Sequence, residues 1–320
     1  MLRRLIALIL VAALSAVIFC GCKSEDDENG KLRIVTAIFP AYDFARQVFG
    51  DTAEVTLLLK PRTESHSYDP SAKDIVKINN CDLFIYNGGE SDQWVENILS
   101  GLDEINSLRM MDSVEVLTEE NENIAESDSG EDEYDEYDEH IWTSPKNAVK
   151  IVENIKNAAV DIAPEKAEFY EQNAKSYIEK INALDKRFEE LLAGEKRYFV
   201  FADRFPLLYF FKEYGLNYYA AFPGCGDETE PSARTIAFLT EKLNDSDTIP
   251  VVFHIELSDT KLARTLTNEN SDLIAEFHSC HNITADDFEA GESYVSLMER
   301  NYDVIENAMK YRTFITHYNG

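Results

Sequence analysis

Short apolar runs alternate with helical patterns along this chain, and that alternation restricts the fold more than any other feature of the sequence. The runs, such as Leu32–Ile38 and Asp82–Tyr86, have the length of strands, whereas the segments between them repeat apolar residues every three or four positions. Strands that alternate with helices form parallel sheets, because each crossover needs a connection of helix length. Each half of the chain contains one series of such alternating strands and helices. This alternation predicts an α/β protein with two Rossmann-like lobes, each built on a parallel sheet.

One helical segment between the two series is longer than a small lobe needs. Pro164 suits the first turn of a helix and Gly194 suits its end, and the apolar residues between them recur at spacings near three and four. At 1.5 Å per residue this helix is roughly 45 Å long. We expect it to be a rigid link, which predicts a first lobe at 31–163, a linking helix at 164–194 and a second lobe at 195–320.

The N-terminus is typical of a bacterial lipoprotein signal. Arg3 and Arg4 precede an apolar run, Leu5–Phe19, that is too short for a comfortable membrane span. Cys22 follows a small glycine, as the lipid-carrying cysteine of a lipobox does. We expect a signal at 1–22, lipidation at Cys22 and a polar tether at 23–30, which would place the protein on the extracytoplasmic face of the cell membrane. A cleaved signal without a lipid and an uncleaved anchor are the alternatives.

The charge of the chain excludes one class of partner. The 60 acidic residues outnumber the 30 basic ones, which gives a formal net charge of −30, and a surface of that sign repels the phosphates of nucleic acids. The acidic residues are densest in a loop at 119–139, which contains no lysine or arginine. Such a run is typical of a solvated loop, and it can also raise the cation concentration beside a binding site.

Four side chains stand where open α/β sheets bind ligands, which is beyond the carboxyl ends of the strands. His66 and Asp203 each follow a predicted strand. His140 ends the acidic loop, and His278 follows the last predicted strand. Imidazoles with a carboxylate suit zinc, and also manganese or iron. These four residues are placed for a metal site in a cleft between the lobes. The sequence contains no compact metal motif such as HExxH or CxxC, and the alternative for any one loop histidine is an exposed surface side chain.

Two stretches of the sequence each place a histidine beside a second local feature. Residues 60–71, Lys-Pro-Arg-Thr-Glu-Ser-His-Ser-Tyr-Asp-Pro-Ser, place a histidine before a Pro-Ser helix start. Residues 138–145, Asp-Glu-His-Ile-Trp-Thr-Ser-Pro, place a second histidine directly after a charged loop. These stretches resemble the zinc- and manganese-binding solute-binding proteins of ABC importers, the ZnuA-like family. The likeness extends over nearly the whole chain beyond the tether, from about Leu32 to Met309. It implies two α/β lobes joined by a long helix, with the metal between them.

The resemblance also implies roles for single residues. It makes His66 and His140 the two ligands of the first lobe. The third family ligand, often a histidine, falls on Ala202, which has no donor atom, so that Asp203 is the nearest candidate; Asp203 can instead pair with Arg204 or cap a helix.

The fourth family position falls on His278. His281, three residues further on, can substitute for it or add a ligand.

The resemblance implies capture of a metal and not catalysis. The expected protein is a monomeric receptor that binds a divalent cation, Zn²⁺ or alternatively Mn²⁺, and passes it to an ABC permease. One rival is an extracellular metal-dependent hydrolase, for which His254, Glu256 or Asp203 would have to act as general base; the sequence has no GxSxG elbow and no phosphate loop. The other rival is an adhesin with a structural metal, which chelation would unfold.

Overall fold

The computed structural model describes residues 30–63, 68–102, 105–120, 122–125, 137–224 and 230–311. The chain divides into an N-terminal unit, Met1–Leu32, and one compact unit, Arg33–Gly320. Cys22, His66 and most of the predicted acidic loop lie outside the described residues. Within the described ranges, no helix has both the length and the apolar character needed to cross a membrane.

Two four-stranded sheets form the centres of two lobes, which confirms the predicted fold class. The strands are β1 Leu32–Thr36, β2 Ala53–Leu57, β3 Leu83–Tyr86, β4 Ser107–Arg109, β5 Tyr198–Arg204, β6 Asn217–Phe222, β7 Thr248–His254 and β8 Ile274–Glu276. The first sheet has the order β2-β1-β3-β4 and the second has the order β6-β5-β7-β8, with neighbouring strands parallel. In each sheet the chain first moves to one edge and then returns to the other side, which leaves a crevice where the direction reverses.

Helices surround both sheets. They are α1 Phe39–Phe49, α2 Ala72–Asn79, α3 Gln93–Leu99, α4 Pro145–Ile162, α5 Ala167–Leu192, α6 Leu208–Tyr214, α7 Ala233–Leu243, α8 Lys261–Leu266, α9 Ala285–Ala290 and α10 Tyr294–Lys310. Single 3-10 turns lie at Gly50–Thr52, Glu90–Asp92, Met110–Ser113, Ile141–Thr143, Pro164–Lys166 and Ser271–Leu273.

The long helix of the prediction is α5, which directly follows the 3-10 turn Pro164–Lys166. It packs against α1 and α4 of the first lobe and against α10 of the second. Tyr177 and Phe188 are among its buried residues, so the helix presents an apolar stripe to both lobes. The structure therefore confirms the long helix that the sequence periodicity predicts, while the domain limits stay a prediction.

A buried carboxylate joins the helices of the two lobes. Asp43 of α1 accepts hydrogen bonds from Arg46 Nε at 2.7 Å, from the backbone N–H of Tyr294 at 2.9 Å and from the hydroxyl of Tyr177. Asp43 is fully buried, and a buried carboxylate is tolerated where hydrogen bonds satisfy its oxygens. Because Tyr177 lies in α5 and Tyr294 starts α10, this cluster holds both lobes to one helical frame and opposes large relative movement.

Candidate metal centre

A cavity of about 680 Å³ lies where the two lobes meet. Its floor is formed at the carboxyl ends of β5 and β7, the strands that border the crevice of the second sheet. The first lobe contributes Arg62, Thr63 and His140, and the second contributes, among others, Asp203 and His281. Of the four residues predicted from the sequence, His140 and Asp203 are among the described residues that line this cavity.

His140 is positioned by its own neighbour in sequence. The ring is buried, with 1% of the residue exposed. Its Nδ1 lies 3.1 Å from Asp138 Oδ1, and the same oxygen accepts the His140 backbone N–H at 2.7 Å. A carboxylate at Nδ1 favours the tautomer with the proton on that nitrogen, which leaves the Nε2 lone pair for a ligand. Burial lowers the pKa of His140, but the charges of Asp138, Glu139 and Glu119 outweigh it and raise the pKa overall.

His281 of the second lobe packs beside His140. The two imidazole centroids are 5.2 Å apart, and Trp142 contacts both rings, at 5.5 Å from His140 and 5.1 Å from His281. The indole N–H of Trp142 donates to the carbonyl of Ser279 at 2.9 Å, which braces the three rings across the lobe boundary. Two imidazoles on one tetrahedral zinc, with Zn–N near 2.0–2.1 Å, have centroids roughly 5 Å apart. The observed separation suits a shared ion.

Glu256 shapes the loop that carries His281. Its two carboxylate oxygens accept from the backbone N–H and the hydroxyl of Ser279, each at 2.7 Å, and from the backbone N–H of Asn282 at 3.3 Å. Burial raises the pKa of Glu256, but the nearby His278 imidazole and the bonds from Ser279 outweigh it and lower the pKa overall. Glu256 is therefore an ionised carboxylate already committed to hydrogen bonds within the loop.

His278 points into a different environment. The residue is 3% exposed, and its Nδ1 accepts the backbone N–H of Cys280 at 2.9 Å. His278 is not among the described residues that line the cavity, whereas His281 is. The backbone turns sharply between the two histidines because Cys280 adopts a left-handed conformation, with φ +61°. Cys280 itself is buried and carries a free thiol.

Ala202 and Asp203 both line the cavity at the end of β5. The oxygens of Asp203 accept the backbone N–H groups of Arg204, at 2.8 Å, and of Ile255, at 3.2 Å. Burial raises the pKa of this carboxyl despite those bonds and one from Ser258. Asp203 thus holds the ends of β5 and β7 together, and a role as metal ligand stays a prediction.

His66 lies outside the described residues, but the chain leading to it lines the cavity through Arg62 and Thr63. In the part of the chain that the structure describes, no group of three or more His, Cys, Asp or Glu side chains could hold a metal ion.

A tight turn at residues 87–92 contacts Glu139, the residue that precedes His140. Glu139 is fully buried, and its carboxylate accepts from the backbone N–H of Ser91 at 3.1 Å and from its hydroxyl at 2.9 Å. A Cβ atom at Gly89 would lie 2.4 Å from the Cβ of Glu139, so only glycine fits there. Asp92 closes the turn by accepting the backbone N–H of Asn87 at 2.7 Å and that of Gly88 at 3.1 Å.

This turn gives a pH prediction. Burial raises the pKa of Asp92 from 3.8 to about 6, against the backbone hydrogen bonds that lower it. The folded state then holds this proton more tightly than the unfolded state, so wild type loses stability as pH rises from 3.8 to about 6, by up to roughly 3 kcal/mol. We expect Asp92→Asn, which cannot ionise but keeps an acceptor oxygen, to be more stable than wild type at neutral pH and to lose that advantage near pH 4. Urea unfolding across this range measures the difference.

The control for this variant is Asp51→Asn, at an exposed site of the same lobe. A difference in stability between Asp92→Asn and wild type that does not vary with pH would contradict the prediction.

Comparison with known proteins relates this site to a family. The chain matches the family model described as zinc-uptake complex component A periplasmic (ZnuA) over residues 34–308. It is similar to the zinc-binding lipoprotein AdcA of Streptococcus pneumoniae, with 35% identity over 301 residues, which cover 93% of this chain and 60% of AdcA. It is also similar to the high-affinity zinc uptake system protein ZnuA of Bacillus subtilis, with 30% identity over 311 residues, which cover 94% of this chain and 96% of that protein.

A solved structure shows the same architecture. The crystal structure of the Zn(II)-bound ZnuA-like domain of S. pneumoniae AdcA matches with a TM-score of 0.71 and 33% identity, over 89% of this chain and 100% of that domain. The chain thus spans 60% of the length of full AdcA.

Proposed function

This chain belongs to the ZnuA family of zinc-uptake components, and we propose that it is the solute-binding protein of an ABC importer that captures Zn²⁺ between its two lobes. The observation that carries the proposal is the pair of imidazoles, His140 and His281, contributed by different lobes to one cavity with a separation that suits a shared zinc ion. A metal held in this way would bridge the lobes, and its release would need only a small movement between them.

The ligand set that we propose is His66, His140 and His281, with Asp203, which lines the same cavity, as the fourth member. This proposal replaces His278 of the sequence prediction by His281, because His281 lines the cavity and His278 contacts its own loop. Neutral imidazoles favour zinc over the harder cation manganese, which prefers oxygen ligands. Asp203 would supply the oxygen ligand that binding of manganese requires.

We further propose that a lipid on Cys22 anchors the protein to the extracytoplasmic face of the membrane, beside its permease, and that it acts as a monomer. Two observations support this placement: the N-terminal sequence has the pattern of a lipoprotein signal, and the similar protein AdcA is named a zinc-binding lipoprotein. The helical frame around Asp43 favours a receptor that stays folded with and without its cargo.

Binding without catalysis fits the chemistry of the cavity. A metal-dependent hydrolase needs a general base within reach of the metal-bound water. Both oxygens of Glu256 accept hydrogen bonds from Ser279, and those of Asp203 accept from Arg204 and Ile255. Glu256 is thus occupied in holding the His281 loop, and Asp203 in the proposed ligand role would bind the ion instead of acting as a base.

The proposal is tested by metal competition. Protein stripped with a chelator is equilibrated with equal amounts of Zn²⁺, Mn²⁺ and Fe²⁺, and the metal that stays bound after gel filtration is measured. We expect one zinc per chain and a protein that remains folded after stripping. Manganese in place of zinc would assign a different cargo to the same receptor. The absence of any tightly bound metal would overturn the proposal, and unfolding on chelation would favour a structural metal.

A further inference from the structure

The loop that carries His281 is bonded to the loop that leads to His66. The backbone N–H of Arg62, in the first lobe, donates to Asn282 Oδ1 at 3.1 Å and to the carbonyl of Ile283 at 3.2 Å, both in the second lobe. The side-chain amide N–H of Asn282 donates in return to the carbonyl of Thr63. One amide group therefore acts as acceptor and donor for two successive residues across the lobe boundary, a pairing that suits a carboxamide with its acceptor oxygen and donor nitrogen.

The first-lobe side of this contact is held in an unusual conformation. Arg62 has φ +68°, in the left-handed region that non-glycine residues rarely adopt. The backbone N–H of Thr63 donates to the carbonyl of Lys60 at 3.0 Å and closes a tight turn around Arg62. A strained residue of this kind persists only where its surroundings hold it, and such residues cluster at binding sites. The bonds to Asn282 and Ile283 are the contacts that oppose relaxation of this turn from the other lobe.

The second-lobe side is also fixed. The backbone N–H of Asn282 donates to the buried carboxylate of Glu256 at 3.3 Å, and Asn282 Oδ1 accepts the backbone N–H of Ile283 at 2.7 Å. Asn282 is thus a rigid support and not a mobile surface side chain. It directly follows His281, while Thr63 lies three residues before His66.

We propose that Asn282 is a positioning residue for metal capture, whose amide holds the loop leading to His66 against the loop carrying His281 and so slows the release of bound zinc. The inference rests on the proposed function, because it assigns these two loops to one metal centre. Asn282 does not bind the metal. It acts by keeping ligands of different lobes close together, so its loss affects dissociation more than association.

The test measures zinc release from the full chain. Wild type and Asn282→Ala are loaded with zinc and mixed with an excess of a chromophoric chelator in a stopped-flow instrument. Loss of one or two neutral hydrogen bonds should accelerate release by about fivefold to thirtyfold, with an unchanged rate of zinc uptake by the stripped protein. Asn282→Asp keeps the acceptor for Arg62 but loses the donor for Thr63, and it should also release zinc faster than wild type.

Asn217→Ala is the matched control. The side chain of Asn217 donates to the carbonyl of Lys196 at 2.8 Å, entirely within the second lobe, so this variant loses a similar bond without touching the lobe boundary. We expect it to release zinc at the wild-type rate. Release from Asn282→Ala at the wild-type rate, or an equal acceleration in Asn217→Ala, would overturn the inference while the proposed function stands. A wild-type chain that binds no zinc would overturn the proposed function itself.

Discussion

Replacing His140 by alanine is expected to weaken zinc binding by about a thousandfold. Structural zinc sites with four ligands bind with roughly 10–16 kcal/mol, so each ligand accounts for about 3–4 kcal/mol, or two to three orders of magnitude in affinity. His140 is the ligand candidate whose geometry is best supported, because Asp138 holds its Nδ1 and Trp142 packs against its ring. Competition with a chelator of known affinity at neutral pH measures the loss.

The control for this variant is His254→Ala. His254 ends β7, and its Nδ1 bonds the carbonyl of Ile255 at 2.8 Å; it is not among the described residues that line the cavity. We expect it to bind zinc as wild type does. Thermal unfolding of both metal-free variants shows whether either has lost its fold. An affinity for zinc in His140→Ala that matches His254→Ala would show that the imidazole pair is not the metal centre.

Much of the fold could be predicted because it depends on periodicity. Apolar runs of strand length and the repeat of three to four residues in Ala167–Leu192 are visible without any tertiary information. Helix α9, Ala285–Ala290, was missed because it is short, has no buried residue and is acidic, so it carries no apolar pattern. Its start does have a local signal, since the hydroxyl of Thr284 accepts the backbone N–H of Asp287 as an N-cap.

The site could be predicted only to the level of the loop. Residues after the strands were expected to converge, and His140 and Asp203 do line one cavity. Which histidine after β8 faces that cavity depends on the left-handed backbone of Cys280 and on the bonds from Ser279 to Glu256. Neither feature follows from sequence pattern, because cysteine rarely adopts that conformation and Glu256 lies more than twenty residues away along the chain.

Replacing His281 and His278 one at a time should give opposite results. We expect His281→Ala to lower zinc affinity by about two to three orders of magnitude, since it removes a ligand candidate from the cavity. We expect His278→Ala to keep zinc affinity close to that of wild type but to lower the free energy of unfolding by about 1–3 kcal/mol, because the buried N–H of Cys280 loses its acceptor. Chelator competition measures the affinities, and urea unfolding of the metal-free proteins measures the stabilities.

The two variants together distinguish a metal ligand from a structural histidine on the same loop. A general distortion of the loop would impair zinc binding in both variants, whereas a ligand role predicts a large loss in only one of them. Loss of zinc from His278→Ala with retention by His281→Ala would restore the assignment made from the sequence and contradict the one made from the cavity. Loss from His281→Ala alone would mean that the turn at Cys280 selects the ligand, because it directs the second of two nearby imidazoles towards His140.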